Sequence, residues 1–380
     1  MGRSIVAMSS WWLADDRAPP LPAGRLDEVD VEVIGAGITG ISASLTLAEA
    51  GLRVRVRDAR RVGEGASGRN GGFALRGGAM PYDHAREWLG AERAAEYWRL
   101  TEEYLDRLAD LAGDALRRTG SLRLAADAEE VEEIGTELAA LHEDGFDGEW
   151  QTDLVGGRFP AAILHPRDAA IQPARVVHRL AERAARAGVV FAESSRVESL
   201  AELAAERVLI ATDGYPSGLL GSLEGLIIPT RGQMIATKAI EERLFDRPHY
   251  GRHGFDYWQQ TPDGRILAGG FRDFSLDSEF TAEEETTPTI QGALESFVNE
   301  LVGRPVKVTH RWAGIFGLVL DFLPVVGRVP DDDRAWVAGG YSGHGNVLGF
   351  MCGDLVASAM LGRSHPLLAS FEPARLLLRA

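Results

Sequence analysis

The feature that most constrains this 380-residue chain is the run Val31-Glu32-Val33-Ile34-Gly35-Ala36-Gly37-Ile38-Thr39-Gly40, where a short apolar strand passes directly into three glycines spaced G-x-G-x-x-G. Gly35 permits the tight turn, Gly37 removes the Cβ that would hold backbone away from a pyrophosphate, and Gly40 lets the following helix lie against the strand. Behind the turn, Ile41, Leu45 and Ala48 recur at helical spacing, Gly51 ends the helix, and Val54 and Val56 begin a second strand that closes at Asp58. The pattern predicts a β–α–β dinucleotide-binding unit, with phosphates at the free N–H groups of the helix N-terminus. Asp58 lies about twenty residues beyond the glycines, where a carboxylate accepts from a ribose 2′-OH, and this disfavours a 2′-phosphorylated ligand. A lone glycine turn is a weak signal. Strand, helix and acid in the right order strengthen it.

Length and a hydrophobic content of 45% suit two domains rather than one. The formal net charge of −16 argues against a nucleic-acid partner, whose phosphates need clustered Lys and Arg. It is compatible with a cationic substrate and equally with plain solubility. Lys238 and Lys307 are the only lysines, arginine supplying the other positive charges. Cys352 is the sole cysteine, so neither an intrachain disulfide nor an all-cysteine metal site can form, and no metal is expected. The early apolar run Ile5-Val6-Ala7-Met8 is too short for a secretory h-region. No stretch reaches the ~18 uninterrupted apolar residues that suggest a membrane span. A soluble protein of the reducing cytoplasm is expected.

Residues 1–28 read as a leader rich in Pro and Gly, in which Trp11 and Trp12 pin the segment to the body of the protein. The glycine-rich stretch from Arg60 to Ala74 is too long for a simple turn and lets backbone press against a planar ligand. From Tyr82 to about Arg118 the periodicity is helical, with Leu100, Tyr104, Leu108 and Leu111 on one face. A strand at Ser121 to Ala125, an acidic helix from Ala128 to Leu141, a helix from Pro173 to Ala187 and a strand from Val189 follow. Arg207 to Ile210 is a further buried strand, ending in the small residues Ala211, Thr212 and Gly214. Between Leu226 and His310 the pattern turns antiparallel, with a type I turn at Thr261-Pro262-Asp263-Gly264. Alternation there places Tyr257 and Gln259 on one face and Asp256, Trp258 and Gln260 on the other. A second glycine-rich strand-to-helix junction, Gly339-Gly340-Tyr341-Ser342-Gly343-His344-Gly345-Asn346, directs another helix N-terminus at a ligand.

With these pieces in order the chain resembles the FAD-dependent amine and amino-acid oxidoreductases, the superfamily of D-amino-acid oxidase, glycine oxidase and sarcosine oxidase. The likeness is strongest to the gamma-glutamylputrescine oxidase-like branch and spans nearly the whole chain. It rests on Ser10-Trp11-Trp12-Leu13, the first glycine turn, Gly65-Ala66-Ser67-Gly68-Arg69-Asn70-Gly71-Gly72, Ala211-Thr212-Asp213-Gly214-Tyr215 and Gly340-Tyr341-Ser342-Gly343-His344-Gly345. The resemblance implies an α/β fold. A Rossmann-type FAD-binding domain with a parallel sheet takes residues 29–84, 150–225 and 311–380, and a substrate domain on an antiparallel sheet with helices takes 85–149 and 226–310. It further implies that Gly35, Ala36, Gly37, Ile38, Thr39 and Gly40 hold the FAD pyrophosphate, and that Asp58, with Ala59 and Arg60, holds the adenosine ribose. Gly65, Ala66, Ser67, Arg69, Asn70, Gly71 and Gly72 lie along the flavin, Val197 gives adenine a backbone contact from a strand, and Ala211, Thr212 and Gly214 approach the cofactor. Gly343, His344, Gly345 and Asn346 serve the pyrimidine edge of the ring.

Departures from the family bear on the chemistry. The cysteine that sarcosine oxidases join to flavin has no counterpart in Gly314-Ile315-Phe316, so non-covalent FAD is expected. The arginine by which glycine oxidase holds a substrate carboxylate is also missing there, and the lysine that follows Gly-His-Gly in sarcosine oxidase is replaced by Asn346-Val347-Leu348. Amines without a carboxylate beside the nitrogen are therefore expected, unless Arg76 supplies the missing charge. Tyr257, Gln259 and Arg76 are the substrate candidates, and His344 and Tyr257 the catalytic ones. The implied reaction is hydride transfer from an amine to flavin N5, with molecular oxygen or another electron acceptor as the second partner. Related oxidases use a lysine near the flavin to activate oxygen, and neither Lys238 nor Lys307 is assignable to that place. A dehydrogenase, a flavoprotein subunit, an amino-acid oxidase and a non-catalytic dinucleotide-binding module are the alternatives.

Overall fold

The computed structural model describes residues 9–16, 21 and 28–377. The apolar run at residues 5–8 and the prolines at 19, 20 and 22 lie outside the described residues. Trp11–Asp15 forms a short helix with both tryptophans buried, packed beside Met234, Leu267 and Trp312. These rings pin residues 9–16, the described part of the expected leader, to the body.

Two sheets carry the architecture. The first has six strands in the order Val325–Arg328, Ala335–Gly339, Arg207–Ile210, Val31–Ile34, Val54–Arg57 and Val190–Ala192. All neighbours in it run parallel except the first pair. Val31–Ile34 is buried along its whole length, as a strand covered on both faces must be. The helix Ile38–Glu49 leaves that strand through the glycine turn and lies against the final helix, Gly345–Met360. Small residues set how close the two helices come: a Cβ on Gly353 would stand 2.3 Å from the Thr39 carbonyl oxygen. The α/β, Rossmann-type half of the expected fold is thus present.

The second sheet has eight strands, in the order Val308–Leu318, Ile228–Thr237, Ile266–Gly270, Asp256–Gln260, His249–Gly251, Ser121–Ala125, Phe159–His165 and Glu149–Leu154. It is antiparallel apart from the pairing of His249–Gly251 with Ser121–Ala125. One face packs on the helix Pro288–Val302 around Trp258, which is fully buried among Phe159, Phe245, His249 and Phe297. The other face carries Tyr257, Leu267, Met234 and Trp312 toward the buried tryptophans of the first helix. A type I-like turn, closed by the Gly264 N–H donating to the Thr261 carbonyl at 2.9 Å, joins the central hairpin where the sequence places it.

The chain divides between the sheets differently from the expected boundaries. Residues 149–165 and 308–318 supply strands of the eight-stranded sheet, not of the dinucleotide-binding one. The helix Ala91–Ala112 buries Tyr97, Trp98, Tyr104 and Leu108 in the core shared with the final helix. The helical stretch expected from Tyr82 to Arg118 is two helices, Tyr82–Leu89 and Ala91–Ala112, parted by Gly90 at φ 82° and ended by Gly113 at φ 54°. Both are left-handed conformations that favour glycine. No helix among the described residues is long and apolar enough to cross a membrane.

Candidate active site

The glycine turn opens a cavity of about 490 Å³ between strand ends and the final helix. Gly35 adopts φ 110°, and a Cβ on Gly40 would lie 1.9 Å from the Gly35 carbonyl oxygen, so turn and helix close on each other only without side chains. Asp58 organises the turn. Its Oδ2 accepts from the Ala36 N–H at 2.7 Å and its Oδ1 from the Arg60 N–H at 2.8 Å. Burial pushes its carboxyl pKa upward against those two bonds, and the carboxylate faces the cavity. Ser67 reaches across to accept from the Ile38 N–H at 3.0 Å, tying the second glycine-rich loop to the helix start.

Of the residues expected around FAD, Gly35, Gly37, Ile38, Thr39, Asp58, Ala59 and Arg60 line this cavity. So do Gly65, Ala66, Ser67, Asn70, Val197, Ala211 and Thr212, and at the far end Gly343, Gly345 and Asn346. Val197 lies in irregular chain beyond the turn at Ser194, not in a strand. Ala36, Gly40 and Gly214 stand behind the wall, where Gly40 and Gly214 permit close packing: a Cβ on Gly214 would meet the Phe316 carbonyl carbon at 2.3 Å.

The loop from Gly65 to Gly72 is held on every side. Asn70 and Asn346 exchange two amide hydrogen bonds of 3.0 Å, and Asn346 Nδ2 also donates to the Phe73 carbonyl at 2.7 Å. These amides clip the Gly65–Gly72 loop to the start of the final helix. The Trp12 indole donates to the Asn70 carbonyl and the Trp312 indole to the Arg69 carbonyl, each at 2.8 Å. Arg69 itself donates to the Glu64 carbonyl at 2.6 Å and pairs with Glu284 at 3.2 Å, so protein groups take up its charge. Gln259 donates to the carbonyls of Gly71 and Gly72 at 2.7 and 2.9 Å. Its polar end supports the loop, and the substrate contact expected of it is replaced by that role.

A second cavity, about 650 Å³, has His344 in its lining, while the flanking Gly343 and Gly345 line the first. In the lining of the second cavity the His344 Nδ1 is buried and without a hydrogen-bond partner among the described residues. Burial draws the imidazole pKa down to about 4, so the ring is neutral at pH 7. Arg76 also lines this cavity, but its side chain is only 2% exposed and already neutralised. It bonds Asp147 at 2.5 Å and Glu102 at 3.0 Å and lies 3.2 Å from His165 Nδ1. The free charge expected of Arg76 is not available there. Tyr257 packs its ring over Gly71 and Gly269, and burial pushes its phenol up to about 12.

Several site residues escape the sequence patterns. Asp213, which lines the cavity, accepts from the Gly317 N–H at 2.9 Å and the Gly340 N–H at 2.8 Å, joining the two sheets there. Glu284, from the loop after Phe280, binds Arg60 at 2.7 Å and the Tyr215 hydroxyl at 2.5 Å beside the cavity wall. Phe316 closes the wall from the eight-stranded sheet. Asp213 is marked in the sequence by its place after a buried strand and within the run Ala211 to Tyr215, neither of which gives its role, and Glu284 gives no signal, because its partners lie far away in sequence.

The fold and cavity define a dinucleotide-dependent oxidoreductase architecture. Residues 30–359 match the DAO family of FAD dependent oxidoreductases, and the chain belongs to that family. It is 26% identical to the probable oxidoreductase OrdL of Haemophilus influenzae, across 92% of this chain and 86% of the relative. Identity to the gamma-glutamylputrescine oxidoreductase of Escherichia coli is 28%, across 88% of this chain and 84% of the relative. Among solved structures, L-proline dehydrogenase from P. horikoshii superposes with a TM-score of 0.76 at 20% identity, across 92% of this chain and 98% of that one. The protein is an FAD-dependent oxidoreductase of the amine and amino-acid oxidase type.

Proposed function

We propose that this chain oxidises a C–N bond of a small amine, with FAD held non-covalently in the first cavity and the amine admitted through the second. The observation that carries this reading is Gly343-His344-Gly345 at the N-terminus of the final helix, where the two glycines line the first cavity and the histidine between them lines the second. The donor set fits FAD: bare glycine backbone for pyrophosphate, a buried carboxylate for ribose and a loop of small residues for a planar ring. Bound there, FAD supplies the acceptor for a hydride leaving the carbon next to nitrogen, and oxygen takes the electrons on to peroxide.

The protein's own groups position and desolvate. The free N–H groups and positive dipole end of the helix Gly345–Met360 favour negative charge at its start. Neutral His344 adds no charge that would repel an incoming cation, and burial favours the uncharged amine whose C–H bond breaks as hydride. No protein base at carbon is required. The imine that leaves is hydrolysed by water. Cys352 is fully buried in the final helix and takes no part in holding the cofactor.

Electron transfer to a partner instead of oxygen is the second reading. It is favoured by the two lysines, both exposed and neither lining the two cavities described above. Oxygen uptake and peroxide release with a panel of amines separates the two. Amine-dependent dye reduction without oxygen uptake selects the second reading, and no turnover with any amine rejects both.

A further inference from the structure

His165 ends the strand Phe159–His165, opposite Ser121 on the neighbouring strand. It is 5% exposed and lines the second cavity. Its Nδ1 lies 3.2 Å from the Arg76 Nη2. A guanidinium has only protons to give, so Nδ1 is the acceptor of that bond and the ring proton sits on Nε2. Burial first, then the charges of Arg76 and Arg123, hold the imidazole pKa well below 6.5. The ring is therefore neutral at pH 7, with Nε2–H as a fixed donor.

That donor is unused. It has no acceptor among the described residues and is open to the cavity rather than sealed in protein. Asp168, in the same lining, already accepts from the Ser121 hydroxyl at 2.6 Å and the Arg76 N–H at 2.9 Å. Tyr250, opposite Arg123 in the sheet register, brings a second hydroxyl to the lining without a partner among the described residues. Burial pushes its phenol up to about 12, so it too keeps its proton. A donor this deeply buried is costly to leave unpaired, and its place on a cavity points to an acceptor carried by a ligand.

We propose that His165 determines specificity by donating to a neutral oxygen, of a carbonyl, ether or hydroxyl group, on the part of the amine substrate away from the reacting nitrogen. This rests on the amine-oxidising function proposed above and deepens it. The charges of the cavity select a neutral group. Its two arginines are already held, Arg76 by Glu102 and Asp147 and Arg123 by Glu137, whereas Asp83, Glu87, Glu130 and Glu133 share the lining and repel an anion. A second ammonium has no lone pair to offer an N–H donor. The acids suit the positive charge of the incoming amine, and His165 serves the rest of the molecule.

The test compares FAD-loaded wild type, His165→Phe, which keeps a ring without the donor, and His165→Gln, which keeps a donor. Each is assayed for kcat/KM with hexylamine and with primary amines of matched length whose far end is a methyl ether, a hydroxyl, a carboxamide, a carboxylate or a second ammonium. Wild type is expected to prefer the neutral oxygen-bearing amines to hexylamine by about tenfold, with the ether, hydroxyl and carboxamide arms separating the sources of the oxygen. The preference should vanish in His165→Phe and return in part in His165→Gln. A wild-type preference for hexylamine, the carboxylate or the diamine overturns the proposal, as does an oxygen preference that survives in His165→Phe. Should His165→Phe fail to fold, nitrogen-15 NMR of histidine-labelled wild type decides: an Nε2–H ring whose signal moves with the oxygen-bearing amines and not with hexylamine supports the proposal, and a ring protonated on Nδ1 or an unmoved signal overturns it. The same signal moving in a protein whose flavin no amine reduces would reject the amine function and leave the acceptor site standing.

Discussion

Asp58→Ala gives a result with two separable parts. The carboxylate accepts from the Ala36 N–H at 2.7 Å and the Arg60 N–H at 2.8 Å while facing the cofactor cavity. Deleting it leaves both N–H groups without their acceptor, one of them inside the glycine turn, at a cost of about 1–3 kcal/mol for each that water cannot reach. Losing the charged acceptor for the ribose costs a further ~1.5–3 kcal/mol of binding, which is about 10- to 150-fold in the FAD dissociation constant. Thermal melting of the apoprotein reads the first part, and titration of folded apoprotein with FAD reads the second. Asp58→Asn keeps an acceptor oxygen without the charge and should fall between wild type and alanine in both assays. An alanine variant that stays folded and binds FAD within about threefold of wild type would refute the assignment.

Other outcomes follow from the same structure. Acid precipitation should release the yellow chromophore into the supernatant, because the sole cysteine is buried within the final helix; colour retained in the pellet contradicts non-covalent binding. His249 donates from Nδ1 to the Arg247 carbonyl at 2.8 Å and stacks on Trp258 at 5.0 Å, and burial lowers its pKa from 6.5 to about 4. The unfolded chain takes up this proton first as pH falls, so the neutral ring's contribution is whole above pH 6.5 and is lost toward pH 4. About 2 kcal/mol should be gone by pH 5. Denaturant unfolding at pH 7 and pH 5 checks this, and His249→Asn, which retains the donor, should show a correspondingly smaller loss. An equal loss in both proteins would assign the acid sensitivity elsewhere.

Local chemistry was legible in the sequence. The strand Val31–Ile34, the glycine turn, its helix and Asp58 lie within one short run, and each link is fixed by its neighbours. The hairpin turn at 261–264 and the second glycine junction were readable for the same reason. Pairing across long separations was not. Glu149–Leu154 and Phe159–His165 join the eight-stranded sheet through partners at 121–125, and nothing in their own pattern says which sheet they extend. Alternation grouped Tyr257 with Gln259, yet only the packed structure shows that this face meets the flavin loop and that the Gln259 amide is used there. Arg76 gives no sign in the sequence that Glu102 and Asp147 hold it.

Under the proposed function an amine delivers a hydride, with its pair of electrons, to FAD in the first cavity. Anaerobic mixing of the purified FAD-loaded protein with a panel of primary and secondary amines, each with and without a carboxylate, tests it directly through the visible absorbance of the flavin. Stoichiometric bleaching by at least one amine, with colour returning on admission of oxygen or an artificial acceptor, is the predicted result. Flavin that stays oxidised with every amine, in protein that binds FAD fully, would contradict it.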